Sequence, residues 1–269
     1  TVSTGDVGAD LKYSVTPSMT LDLTYNTDFA QVEVDEQQVN LTRFPLFFPE
    51  KRDFFLENAG MFNVGASAGF NRLADLFFTR RVGLSSGGQP VPIIGGVRLS
   101  GKVDRHNIAV MNITTQEAFG DFGENFFVGR YSRDILARSK IGGLVINKEG
   151  VGGGSHYNRT FAADTALALH RNFVVNGFIA KTESPDISSG DMAGYVRGTW
   201  LSPSWSVYGE YLDLQENFNA EVGFVPRVGI RTSRFHGEWD PRPGRWKIRF
   251  LDPMWNITYT TDQNNRLLT

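Results

Sequence analysis

Five charged side chains crowd one short stretch of this chain: Glu50, Lys51, Arg52, Asp53 and Glu57. Aromatic rings surround them at Phe44, Phe47, Phe48, Phe54 and Phe55. Two chemistries fit the charges. Fixed charges inside a channel set its selectivity. The same charges can instead form an ion-pair network that ties an inserted segment to Arg80, Arg81 and Arg98 on a surrounding wall, because buried charges persist only when paired. The rings likewise have two readings, a stacking platform for sugars or a small local core beneath a long insertion. Charges, rings and the prolines at 45 and 49 together read as a folded inclusion over residues 42–72.

Other reactive side chains form no pattern. His106, His156, His170 and His236 have no partners at metal-ligand spacing and read as surface residues. A Ser–His–Asp triad needs no adjacency in sequence, but no Gly-x-Ser-x-Gly elbow supports one. The run Gly152–Ser155 lacks the strand–loop–helix setting of a phosphate cradle. Carboxylates such as Asp186, Asp191, Glu216 and Glu221 sit on long loops, where nothing sets the spacing that glycoside cleavage requires. The sequence therefore marks no catalytic constellation, no metal site and no cofactor.

The elements that must position these residues are strands. Segments of roughly ten residues alternate apolar and polar side chains. Leu21, Leu23 and Tyr25 oppose Thr20, Asp22 and Thr24; Trp205, Val207, Gly209 and Tyr211 oppose Ser206, Tyr208 and Glu210. Tight turns are expected at 16–18, 104–107, 137–139, 170–172, 202–204 and 240–244. Longer polar loops are expected at 116–124, 148–156, 182–191 and 214–221. From residue 104 onward short and long connections alternate, as in outer-membrane barrels, where one rim faces the periplasm and the other the outside. Keeping that parity for a strand at Leu76–Val82 requires one more strand, best placed at Gln31–Leu41. The total is then about fourteen strands, and the inclusion enters from the tight-turn rim.

Composition narrows the class. With a net charge of −2 the chain has no nucleic-acid footprint. Without cysteine it has neither a disulfide scaffold nor a thiolate metal site. No run is long and apolar enough for a spanning helix. A mean hydropathy of −0.25 is compatible with a barrel, since half of each strand faces a polar interior. Arginine outnumbers lysine, which suits a lumen lining and paired, partly dehydrated sites.

Three stretches carry a family likeness. The first runs from Leu21 through Asp35 and on through Val39–Phe44 to Phe47–Glu57, with Phe-Phe-Pro-Glu-Lys-Arg at its centre; the others are Phe78–Gly83 and Gly223–Arg227. Together they resemble an uncharacterised bacterial family of outer-membrane β-barrels. In that family the barrel usually follows an N-terminal domain similar to family-nine carbohydrate-binding modules. The resemblance implies a barrel and an envelope location, but no activity. It also implies an N-terminal carbohydrate-binding-like domain and a terminal aromatic strand, which these residues do not include, so a portion of a larger barrel is expected.

The expectation is an all-β chain, residues 1–269 forming one antiparallel transmembrane barrel with a plug-like inclusion. Its setting is the bacterial outer membrane, with lipid as its main partner and surface glycans or other envelope proteins as further ones. Its work is non-enzymatic passage, docking or surface binding of a solute. The alternatives are a secreted all-β carbohydrate-active enzyme and a sealed scaffold barrel that binds protein partners.

Overall fold

A computed structural model describes residues 7–26, 47–68, 71–85, 89–152, 156–241 and 251–269. Twelve of its strands form one antiparallel sheet. In chain order these are β1 (Ala9–Thr16), β2 (Met19–Tyr25), β5 (Ile93–Val103), β6 (His106–Thr115), β7 (Glu124–Ile135) and β8 (Ser139–Gly150), then β9 (Tyr157–His170), β10 (Phe173–Glu183), β11 (Met192–Ser202), β12 (Trp205–Leu214), β13 (Ile230–Trp239) and β14 (Met254–Asp262). Each strand pairs with the next in this order. The sheet is not closed by hydrogen bonds, because β1 and β14 do not pair with each other. Part of the outer edge of β14 is taken by the chain's last residues: Leu268 donates to the Thr260 carbonyl at 2.8 Å, and Thr260 donates to Thr269 at 2.7 Å.

The remaining two strands, β3 (Gly65–Ala68) and β4 (Asn71–Asp75), form a separate hairpin. With a helical turn α1 (Asp53–Leu56) and two 3-10 turns (Ala59–Phe62, Thr79–Arg81), they make up the inclusion. Its apolar side chains Phe55, Phe62, Leu76 and Phe77 share one core with Met111, Phe126, Leu144, Phe178 and Leu212 from five different sheet strands. Strands from β5 to β13 thus turn one face toward the inclusion. Burying that much apolar surface is the main term holding the two parts together, at about 1.5–3 kcal/mol per large side chain.

The opposite face is exposed and apolar. One cross-strand row there runs Tyr13, Leu21, Leu99, Val110, Gly129, Val145 and Phe161. Ile179, Val196, Tyr211, Phe235 and Ile257 continue the face, all well exposed. The inner face mixes core side chains with buried Asp22, Arg98, Arg130 and Glu210. Period-two alternation therefore gives one exposed apolar face and one covered face that holds both apolar core and buried charge.

Two expectations change, and others fall on residues outside the described set. Leu76–Val82 is not a sheet strand; Leu76, Phe77 and Val82 are apolar because they feed the inclusion's core, and residues 79–81 form a 3-10 turn. The proposed strand at Gln31–Leu41 lies outside the described residues, and the sheet does not require it, since β2 pairs directly with β5. The inclusion consequently leaves and returns at the long-loop end, not at the tight-turn end. Short turns join β1–β2, β5–β6, β7–β8, β9–β10 and β11–β12 at one end as expected. Of the turn read at 240–244 and the strand read after it, residues 242–250 lie outside the described set, and β14 is described from Met254.

Candidate functional site

The inclusion is held by three anchors, and the charged residues read from the sequence build two of them. Glu50 and Arg52 form a two-point pair, at 2.9 Å from Nε and 2.7 Å from Nη2. Both side chains are about nine-tenths buried. The Arg52 guanidinium then donates to the Thr79 and Val82 carbonyls, each at 2.8 Å, bracketing the 3-10 turn that carries Arg80 and Arg81. It also lies 4.1 Å above the Phe55 ring. Burial pushes the Glu50 carboxyl up, but hydrogen bonding and charge attraction from Arg52 outweigh it and hold the group below its ordinary value. Arg80 donates to the Pro49 carbonyl at 2.7 Å.

Arg98 is the anchor on the wall. Its side chain is 2% exposed and bonds Asp22 on the neighbouring strand at 2.8 and 3.1 Å. It also donates to the Phe54 and Glu57 carbonyls at the end of α1. The Glu57 carboxylate completes the set through Arg98 at 3.3 Å and through Lys12. Arg98 thus stands on the sheet, in β5. Arg80 and Arg81 do not; they belong to the inclusion itself. Asp53 opens α1 and is exposed, and Lys51 is half-buried beside the Glu50 carboxylate, which accepts its backbone N–H at 3.0 Å.

The third anchor is the β12–β13 loop, residues 215–229. Asp75 and Phe224 exchange backbone hydrogen bonds at 2.9 and 2.8 Å, and Phe78 donates to Val222 at 2.8 Å. Phe47, Phe78 and Phe224 pack as a ring trio with centroids 5.0–5.8 Å apart. Gly223 has to be glycine, since a Cβ there would lie 2.5 Å from the Asp75 carbonyl oxygen. The separated motifs Phe47–Glu57, Phe78–Gly83 and Gly223–Arg227 therefore meet in space. Of the five rings read as a platform or a small local core, Phe55 is buried at 2% exposure, Phe47 packs in the trio, and Phe54 lies edge-on to Phe55. Phe48 lies under Arg80, and Phe44 falls outside the described residues.

Above the inclusion, at the long-loop end, a cavity of about 900 Å³ opens between the loops. On one side Lys148 bridges Glu124 at 2.7 Å and Glu221 at 3.0 Å, and Glu221 also meets His156 at 3.0 Å. Burial raises the Glu221 carboxyl, but His156 and Lys148 more than reverse this and lower it. Asn158 on β9 fixes the same loop, donating to the Asn219 carbonyl at 2.8 Å and accepting from the Glu221 N–H at 3.2 Å.

Deeper on the inner face are groups that the sequence reading did not single out. Arg130 pairs with Asp164 at 2.7 Å. Glu210 stands in register between Arg197 and Arg234, at 3.7 and 3.6 Å, and accepts from the Tyr195 hydroxyl at 2.9 Å. Their signal in the sequence is phase alone, since each alternates with outward apolar neighbours. At the short-turn end Glu238, Asp240 and Asp252 bring carboxylate oxygens within 4.8 Å of one another, as surface acids commonly do.

Residues 1–103 match the family model of a domain of unknown function, DUF5916. That segment comprises β1 to β5 and the whole inclusion with two of its anchors. Gly223–Arg227 lies outside the match yet clasps the matched inclusion. No curated protein and no solved structure matches the chain.

Proposed function

We propose that this chain forms wall and inclusion of a bacterial outer-membrane β-barrel that passes, docks or binds a solute without catalysis. The observation that carries the proposal is the sheet's uncovered face, which is exposed and apolar, while its covered face mixes an apolar core with buried paired charges. A continuous exposed apolar face of this extent is foreign to a water-soluble monomer and is what hydrocarbon requires of a barrel.

The band is also bounded in height. Trp200, Trp205, Trp239 and Trp255 cluster at its short-turn end, with Trp205 stacked on Trp239 at 5.6 Å. At its long-loop end stand Arg159, Lys181 with Glu183, and Asp213 with Arg231. Along β12 the span from Trp205 to Asp213 is roughly 20 Å in height for a strand tilted by ~40°, close to the ~25 Å of an outer-membrane apolar band. Tryptophan belts mark lipid–water interfaces.

The enzyme alternative needs one carboxylic acid that keeps its proton beside one ionised carboxylate; Glu221, held below its ordinary value, suits only the second role. The sealed-scaffold alternative draws on the inclusion's packing against strands from β5 to β13. The decisive experiment is refolding from urea into detergent or lipid vesicles, followed by electrophoresis with and without boiling. We expect a detergent requirement and a boiling-dependent shift in migration. A chain that stays monomeric and folded in plain buffer overturns the proposal.

A further inference from the structure

The cavity at the long-loop end holds two opposite charges that do not satisfy each other. Arg81 projects from the inclusion's 3-10 turn, and Glu216 projects from the β12–β13 loop; both line the cavity and both are exposed. Among the described residues neither side chain makes a hydrogen bond or an ion pair. The other charges that line the cavity are engaged: Lys148 with Glu124 and Glu221, His156 with Glu221, and Asp121 through an interaction of its own.

Arg81 is also held ready. Arg52, itself fixed by Glu50, clamps the carbonyls of Thr79 and Val82 on either side of it, so the turn presents the guanidinium with little freedom of backbone. A rigid arginine fork is suited to a carboxylate, which it can bind by two parallel hydrogen bonds. A lone carboxylate on the facing loop is suited to an ammonium group. Between them the lining is mostly neutral, with the amides of Gln116, Asn217 and Asn219 able to donate and accept. The volume, about 900 Å³, is ample for a small solute.

We infer that this cavity binds a zwitterionic solute of the short-peptide kind, its carboxylate on Arg81 and its ammonium toward Glu216. The inference deepens the solute-handling reading above and rests on it, but binding itself is measurable on the folded protein in detergent without any assumption about a pore. The probe is triglycine, titrated by calorimetry, beside its N-acetyl and C-terminal amide forms. We expect saturable binding of triglycine, weakened by about tenfold or more on blocking either end, the loss associated with one charge-assisted hydrogen bond. Arg81→Gln should abolish the distinction between free acid and amide, and Glu216→Gln the distinction between free and acetylated amine. Absent binding of triglycine, or equal binding of the blocked forms, overturns the inference. Both results concern the wild-type chain, so they hold even if a variant misfolds. Failure of the barrel reading would show separately, as solubility without detergent.

Discussion

At the scale of the residue, the charges of the inclusion act mainly as fasteners. Arg98 links Asp22, α1 and Glu57 through one guanidinium. Arg98→Leu would leave Asp22 buried without its cation, and we expect a loss of about 3–5 kcal/mol in urea unfolding. Replacing Asp22 as well should recover part of that loss, because no lone charge is then left behind. Glu50 offers a pH test. Its carboxyl is held below the ordinary value of 4.5 in the folded state, so its contribution is complete above that pH and is lost as the pH falls through the depressed folded value. Wild type should therefore melt higher than Glu50→Gln at neutral pH, and the gap should close in acid. A gap that widens in acid would reverse the sign assigned to this pair.

At the scale of the element, a strand's two faces meet different surroundings, one exposed and one covered by the inclusion. Val196 on β11 is 47% exposed in mid-band, while Tyr195 beside it faces inward at 8%. Val196→Arg should cost roughly 2–4 kcal/mol of folding in lipid, measured by urea titration in vesicles, as expected for a cation near the midplane of a barrel wall. No loss would place that face in water. The strands were legible for this reason: Trp205, Val207 and Tyr211 alternate so regularly with Ser206, Tyr208 and Glu210 that pairing and facing follow. The inclusion was less legible. Leu76, Phe77 and Val82 lie in a run as apolar as a short strand, yet they fill a core from the chain between and beside a hairpin and a 3-10 turn. A short apolar run cannot distinguish these cases, because a buried strand and a core-filling connection both hide consecutive apolar residues.

At the scale of the whole molecule, the inclusion crosses from β5 to the β12–β13 loop, joining sheet regions far apart in strand order. Its removal would strip Phe55 and Phe62 from the shared core, so the clasp is the better point of attack. Gly223→Val would force a side chain against the Asp75 and Leu76 carbonyls. If the inclusion obstructs a conduit, this variant should show larger or more frequent openings than wild type in planar bilayers. Silent membranes for both proteins would favour the sealed scaffold.

The sequence by itself determined that the chain is all-β, which residues share a face, and which charges and rings gather in the inclusion. Those properties follow from short-range alternation and composition. Only the tertiary structure decided that β2 and β5 are neighbours, that the inclusion is fastened from the long-loop end, and that Gly223 and Phe224 meet Asp75 and Phe78. These are contacts between residues distant in the chain, selected by the packing of the whole core, and no local pattern encodes them.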